Sequence, residues 1–251
     1  MPSPRWLSVT GGPLRGGQLL LMPGAAPWQE EMREGRFEAF LHDALAGDEL
    51  AGGTVWDVGA HVGYHTLAFA ARVGPAGCVI ALEPNPHNAA RLRQNLDGNR
   101  DLAGRVRVET IALSHQDGSD RLFYTPIVDD GTSSGATLEA ALTVENAQAY
   151  RGLDSIMVET SRADSLVRSG RVPAPSLIKI DVEGGEVCVL RGCDELLATA
   201  RPLMAIEVHN TAAMFRTQEI LAARGYRLTL LGPTDQSSSR CHVLGRPPGG
   251  G

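Results

Sequence analysis

Several things are scarce in this chain, and each scarcity closes off a class of function. Basic residues do not exceed acidic ones: 23 Lys and Arg stand against 29 Asp and Glu, a formal net charge of −6. A phosphate-binding surface normally needs a basic excess, so no nucleic-acid partner is expected. Arg91, Arg93, Arg100, Arg105 and Arg107 do cluster in sequence, but acids and apolar residues interleave them, which describes a solvated face. The four cysteines (Cys78, Cys188, Cys193 and Cys241) include no C-x-x-C pair, which excludes a zinc ribbon and a disulfide framework and points to reduced thiols in a cytoplasmic setting. The start, Met1 to Trp6, lacks a basic region followed by an apolar run, so no signal peptide is expected. No stretch approaches the roughly twenty apolar residues of a membrane span. Aromatics make up only 5% of the chain. Finally, the dinucleotide fingerprint G-x-G-x-x-G is missing, which speaks against a nicotinamide enzyme.

What the chain does have is glycine (29), proline (15) and a 43% hydrophobic fraction over 251 residues, enough for one large domain with many short loops. Residues 6–22 predict a hairpin and Trp28–Ala46 a helix, together an amino-terminal extension over 1–50. A main domain over 51–246 follows, and 247–251 read as a disordered tail. From Thr54 on, apolar runs alternate with helical segments. Strands are expected at Thr54–Val58, Cys78–Leu82, Val106–Leu113, Arg121–Thr125, Val158–Ser161, Leu177–Ile180 and Leu203–Val208. Helices are expected at Tyr64–Arg72, Asn85–Asp97, Glu186–Ala198 and Ala212–Arg224, and Tyr226–Leu231 with Cys241–Gly245 read as a closing hairpin. Residues 126–155 read as an irregular polar insertion with a short helix at Leu138–Gln148. Such alternation predicts an α/β fold with a mostly parallel sheet and helices on both faces, with ligands at the carboxyl ends of the strands.

The strongest local signal is Val55-Trp-Asp57-Val-Gly59-Ala-His61-Val-Gly63-Tyr-His-Thr66. A strand ends in an acid, a glycine-rich turn lets backbone approach a ligand, and a helix N-terminus follows. About twenty residues on, the next strand ends in Glu83-Pro84-Asn85, where a carboxylate can bridge ribose hydroxyls. An acid at Asp57 would attract a sulfonium and ammonium ligand and repel a pyrophosphate. Taken alone, this pattern also fits a helix-packing turn beside a solvated Glu.

These residues resemble the FkbM family of S-adenosylmethionine-dependent methyltransferases. The family's V-D-V-G-A-N-x-G-Y-x-T corresponds to Trp56-Asp-Val-Gly-Ala-His-Val-Gly-Tyr-His-Thr66, and its E-P-N-P-x-N to Glu83-Pro-Asn-Pro-His-Asn88. Its A-L-S-D-x-x-G is similar to Ala112-Leu-Ser-His-Gln-Asp-Gly118, its G-x-S-S to Gly131-Thr-Ser-Ser134, and its T-L-D-S-L to Arg162-Ala-Asp-Ser-Leu166. Its I-K-I-D-V-E-G-x-E is similar to Leu177-Ile-Lys-Ile-Asp-Val-Glu-Gly-Gly-Glu186. The resemblance implies a class I methyltransferase fold, a Rossmann-like three-layer sandwich with a seven-stranded sheet in strand order 3-2-1-4-5-7-6. It also implies cofactor contacts from Asp57, Gly59, Ala60, His61, Gly63, Thr66, Glu83, Pro84, Asn85, Ala112, Ser134 and Asp181. His61 stands where the family has Asn and His115 where it has Asp.

Methyl transfer needs the acceptor held behind the methyl group, and an alcohol acceptor needs a base. Lys179 and Asp181 share one face of their strand with Glu183 following, and Glu207 and His209 share a face at the end of the next. His209 or Glu183 is therefore expected as base and Asp181 as a binder of substrate or cofactor, with Lys179 beside them in the catalytic set. Lys179–Asp181 also fits a buried ion pair, and His209 a loop histidine. Asp181, Glu207 and His209 form an oxygen/nitrogen set for a divalent metal such as Mg²⁺, a reading the pattern does not favour. Residues 126–155 are expected to fold over the cofactor as a lid. The expected function is O-methylation of a hydroxyl on a small-molecule acceptor, a sugar or secondary metabolite. The alternatives are a nicotinamide-dependent oxidoreductase and a non-catalytic nucleoside-binding protein. The pattern leaves open the acceptor's identity and the oligomeric state.

Overall fold

The computed structural model describes residues 3–22, 24, 26–126, 132, 133, 135–142, 147, 148, 150–232 and 240–249. Strands β1 (Arg5–Ser8) and β2 (Gln18–Leu21) form the opening antiparallel hairpin. The single helix expected next is two, α1 (Pro27–Glu34) and α2 (Ala39–Ala44). Gly35 ends α1 in the left-handed conformation (φ 73°), and a side chain there would run into the Gly11 carbonyl, so the chain turns instead of continuing.

The main domain follows the expected alternation. In chain order it contains β3 (Thr54–Val58), α3 (Tyr64–Val73), β4 (Cys78–Leu82), α4 (Pro86–Asp97), α5 (Arg100–Ala103) and β5 (Val106–Glu109). Next come β6 (Ala112–Leu113), β7 (Gly118–Tyr124), β8 (Ala136–Leu138), β9 (Asp154–Ser161) and α6 (Ala163–Arg168). The chain closes with β10 (Leu177–Ile180), α7 (Glu186–Arg191), α8 (Asp194–Thr199), β11 (Leu203–Val208), α9 (Thr211–Ala222), β12 (Arg227–Leu231) and β13 (Cys241–Arg246). Seven strands make the large sheet, in the order β12-β13-β11-β10-β3-β4-β5. Its pairs are parallel except those of β13, which runs antiparallel to both β11 and β12. Numbered by chain position within that sheet and read from the β5 edge, the order is 3-2-1-4-5-7-6.

Because successive strand residues face opposite sides, each strand feeds two cores. Val55, Val79 and Ala81 pack with Leu67, Phe69 and Leu92 on one face, and Trp56, Ile80, Ile178, Ile180 and Met204 pack with Leu190 and Leu197 on the other. Trp56 is fully buried and its indole Nε1 donates to the Pro173 carbonyl at 3.0 Å. Side chains bind the hairpin to α4 and the start of α5: Asn95 and Asn99 accept from the Leu20 and Gln18 amides at 2.7 and 2.9 Å, and Asn95 also donates to the Val62 carbonyl at 2.7 Å. One asparagine thus ties the extension to the glycine-rich turn.

Four expectations differ from the structure. Val106–Leu113 is not one strand: β5 joins the large sheet and β6 leaves it to pair with β9. Residues 126–155 are not wholly irregular, since β8 and the start of β9 lie within them. They belong to a second, four-stranded sheet of order β6-β9-β7-β8. The helix expected at Leu138–Gln148 is, among its described residues, a strand end, a 3-10 turn at Glu139–Ala141 and a turn at 147–148. The helix over Glu186–Ala198 is broken at Gly192–Cys193 into α7 and α8. No described helix is long and apolar enough to cross a membrane.

Candidate active site

The tips of β3, β4, β10 and β11 converge on one cavity of about 650 Å³. Gly59, His61 and Glu83 line one side of it, Asp181, Glu183 and Glu207 another, with Trp28, Met32, Phe37 and Glu38 from the α1–α2 region as a further wall. An apolar slot lined by Val58, Leu82, Pro84, Ile111, Ala112 and Leu113 adjoins it, and both share Gly59 and Ala136.

The turn after β3 is shaped by close approach. Gly59 sits at φ 79°, and a Cβ there would collide with the Asp181 carbonyl oxygen. Its amide and that of Ala60 donate to the Leu82 carbonyl at 2.9 and 3.2 Å. His61 is also left-handed (φ 50°), a conformation that Asn, Asp and His tolerate better than most residues. This explains how His can occupy a position at which the resembling family carries Asn. Its ring meets Trp28 edge-on, centroids 5.4 Å apart. Gly63, at φ 88°, then caps α3.

Glu83 is 4% exposed. Its two oxygens accept from the His61 and Asn85 amides at 2.8 and 2.9 Å, which fixes the carboxylate across the turn. Burial, reinforced by the Asp57 charge, pushes its carboxyl up to about 7 against those hydrogen bonds. Asn85 caps α4 by accepting from the His87 amide at 3.0 Å.

Asp57 and Thr66 do not face the cavity. Asp57 shares the α3-facing side of β3 with Val55 and is fully buried; its Oδ2 accepts from the Thr66 hydroxyl at 2.6 Å. Its Oδ1 lies 3.6 Å from the Lys179 ammonium, which also donates to Asp181 Oδ2 at 3.2 Å. Burial opposes the charge on Lys179, but Asp181 and Asp57 outweigh it and hold the ammonium above its ordinary range. Asp57 and Thr66, with Lys179, form a buried clamp that fixes the turn from behind. Lys179 lies between two carboxylates and lines no part of the cavity.

At the other side of the cavity, His209 is the hub. Its Nδ1 lies 2.6 Å from Glu186 Oε1, a buried carboxylate that also accepts from the Gly184 amide at 2.9 Å. Its Nε2 faces Glu183 at 3.4 Å, Asp181 at 3.7 Å and Glu207 at 3.7 Å. Burial disfavours the imidazolium, but Glu186, Glu183 and Asp181 outweigh it and push His209 up to about 9. Glu183 adopts φ 49°, its carboxyl is raised by burial, and Arg240 reaches it at 3.3 Å. Beyond Glu207, His242 lies 3.6 Å away and 3.7 Å from Glu38 Oε1, and Glu38 Oε2 in turn lies 3.1 Å from His65.

Several residues here gave no signal of their role in the sequence. Glu186 read as the end of a family motif and the first acid of a helix, His65 as part of the glycine-turn motif, neither with a role, and Glu38, His65, His242 and Arg240 are far apart in sequence. Asn88 was legible as part of a motif without a role. Its amide donates to the Ser133 carbonyl at 3.0 Å and its oxygen accepts from the Ser133 amide at 2.9 Å, which pins that segment to α4 beside the cavity. Ser134 lies outside the described residues.

This arrangement suits S-adenosylmethionine by its chemistry. A flat apolar slot beside Pro84 and Ala112 suits an adenine, Glu83 suits ribose hydroxyls, and an acid-lined cavity suits a cationic sulfur and ammonium. Comparison with known proteins agrees. The model of the methyltransferase FkbM domain matches residues 57–228. Hexuronic acid methyltransferase AglP of Haloferax volcanii is 28% identical over 81% of this chain and 79% of its own length. The 31-O-demethyl-FK506 methyltransferase FkbM of Streptomyces tacrolimicus is 29% identical over 73% and 75%. The crystal structure of methyltransferase FkbM from Methylobacillus flagellatus superposes with a TM-score of 0.52 at 20% identity, over 76% of this chain and 43% of that longer one, a likeness of fold. The chain belongs to the FkbM family and is an S-adenosylmethionine-dependent methyltransferase.

Proposed function

We propose that this enzyme methylates a hydroxyl oxygen of a sugar or natural-product acceptor, with cofactor and acceptor side by side in the cavity at the strand tips. The observation that carries the reading is the division of that cavity: a nucleoside-binding turn at Gly59, His61 and Glu83 on one side, and Asp181, Glu183, Glu207 and His209 on the other. The relatives named for a hexuronic acid and for 31-O-demethyl-FK506 support the acceptor class. S-adenosylmethionine, when bound, would supply an electrophilic methyl group to an acceptor oxygen in line with the sulfur, S-adenosylhomocysteine being the leaving group.

The residues of this chain divide the remaining work. Gly59, Ala60, His61 and Gly63 form the backbone cradle, and Asp57, Thr66 and Lys179 hold it from behind. Glu83 takes the ribose hydroxyls, and Pro84, Asn85 and Ala112 shape the adenine slot. Asp181 faces the cationic end of the cofactor. Glu183 takes the acceptor proton: it lines the cavity, whereas His209 is encircled by carboxylates and fixed by Glu186. The segment clamped by Asn88 closes the cavity from above, the part expected of residues 126–155.

The test is turnover with S-adenosylmethionine and a panel of hydroxylated acceptors that includes a hexuronic acid glycoside, read by mass spectrometry. The expected product carries one added methyl on oxygen, and Glu183→Gln lowers kcat by a factor on the order of 10²–10⁴. A product methylated on nitrogen, or an unchanged kcat in Glu183→Gln, would contradict the reading.

A further inference from the structure

We propose that Asp181, Glu207 and His209 bind one divalent cation whose open positions take the acceptor hydroxyl. The inference rests on the placement of the acceptor at this end of the cavity.

One atom from each of the three side chains lies within 4.8 Å of the other two. His209 Nε2 stands 3.7 Å from Asp181 Oδ1 and 3.7 Å from Glu207 Oε1. Bonds of roughly 2.1–2.2 Å put adjacent ligands about 3 Å apart, so sub-ångström side-chain shifts would close the set.

Each ligand is held from behind by a different partner. Asp181 gives its Oδ2 to Lys179 at 3.2 Å and turns Oδ1 to the common point. Glu207 gives Oε2 to His242 at 3.6 Å and turns Oε1 inward. His209 gives Nδ1 to Glu186 at 2.6 Å. With a cation at Nε2 in place of the proton held there by the surrounding acids, a carboxylate at Nδ1 keeps the remaining N–H and orients the ring, the arrangement common to metal-binding imidazoles. The side chain of His209 is only 6% exposed, and Nε2 is buried without a hydrogen-bond partner while pointing into the cluster. A native protein seldom leaves such an atom unsatisfied without a use for it.

Charge argues the same way. Asp181, Glu183, Glu186 and Glu207 crowd one imidazole, and the fixed cations beside them are Lys179 and Arg240. A divalent ion offsets the excess. The neighbouring trio Glu38, Glu207 and His242 also brings one ligand atom from each within 4.8 Å of the others. There, however, Glu38 is committed to His65 at 3.1 Å and the space is about 10 Å³, which leaves no room for an acceptor oxygen. One imidazole with two carboxylates suits a borderline ion such as Mn²⁺, Co²⁺ or Zn²⁺ better than the all-oxygen preference of Mg²⁺ or Ca²⁺. The cation polarises the acceptor O–H, whose proton passes to Glu183. The oxygen pair forms the new C–O bond as the methyl–sulfur bond breaks, and that pair stays on sulfur.

The test titrates Mn²⁺ into chelator-treated protein and follows free Mn²⁺ by electron paramagnetic resonance. One ion per chain is expected, with ¹⁴N modulation from the imidazole in the pulsed spectrum. Affinity should fall at least tenfold in His209→Ala and in Glu207→Gln, the latter keeping the side chain's shape should the former fail to fold. S-adenosylhomocysteine calorimetry on the same metal-free samples separates the two readings: binding retained there leaves the cofactor site intact whatever Mn²⁺ does. No saturable Mn²⁺ binding, bound Mn²⁺ without nitrogen modulation, or full affinity in folded Glu207→Gln would each overturn the proposal.

Discussion

Replacing Lys179 by Met tests whether the clamp behind the glycine turn is structural. Lys179 is 4% exposed, with Asp57 Oδ1 at 3.6 Å and Asp181 Oδ2 at 3.2 Å. Methionine keeps most of the side chain's volume, so the cavity term is small and the loss is electrostatic. Removing one partner of a buried pair leaves an uncompensated charge and costs about 3–5 kcal/mol. Here two carboxylates are left facing each other, which favours the upper half of that range. For a chain of this size the melting temperature should fall by roughly 6–20 °C, at about 2–4 °C per kcal/mol. Urea denaturation followed by circular dichroism gives the free energy directly. Adding Asp57→Asn to Lys179→Met removes one stranded charge and should recover at least about 1 kcal/mol, since residues in one network are coupled. A loss under about 1 kcal/mol in the single variant, or no recovery in the double, would refute the clamp and return Lys179 to the list of residues acting on a ligand.

Other outcomes follow from the same geometry. Gly59→Ala must place a Cβ against the Asp181 carbonyl and hold φ 79°, so S-adenosylhomocysteine affinity should fall more than tenfold by calorimetry, with about 1–2 kcal/mol lost from the left-handed conformation alone. Glu83 is held at about 7; its ionised form accepts hydroxyl protons best, so nucleoside affinity should rise up to about tenfold from pH 6 to pH 8. Glu83→Gln should flatten that dependence. In folding the sign is opposite: the folded value is raised above 4.5, so Glu83's contribution to stability is complete below that pH and lost as pH rises through about 7. Glu186→Gln weakens the 2.6 Å support of His209, a charge-assisted bond worth about 1.5–3 kcal/mol; turnover should fall while S-adenosylhomocysteine affinity stays within twofold.

The parts of the fold that were legible share one property: their signal is local. β3, β4, β10 and β11 are short apolar runs ending in an acid or a lysine–acid pair, and the turn at Gly59–Gly63 announces itself by its glycines. The second sheet was legible only in part: the cores of β7 and β9 read as short strands at Arg121–Thr125 and Val158–Ser161, but their full lengths and their pairing did not, because these strands lie half exposed. β9 buries only three of its eight residues and β7 two of seven, so neither shows the apolar run of the central strands. The helix breaks at Gly35 and Gly192 were visible as residues, but their force comes from contacts with Gly11 and Ser114, which are distant in sequence. The acids could be found and not aimed. Asp57 reads as a ligand contact and turns inward, because the alternation of β3 gives it to α3. Glu186 reads as a helix N-terminal acid and turns back to fix His209. A residue's place on an element is written locally, whereas the direction of a buried carboxylate is set by partners that only folding brings near.

The central claim is that the Gly59–Gly63 turn with Glu83 holds the methyl donor. It is tested most directly by calorimetric titration of S-adenosylmethionine and S-adenosylhomocysteine, with NAD as control, into wild type and Glu83→Ala. Saturable one-to-one binding of both nucleosides, no heat with NAD, and at least tenfold weaker nucleoside binding in a folded Glu83→Ala are expected. Nucleoside binding that Glu83→Ala leaves unchanged, or none by the wild type, would contradict the account.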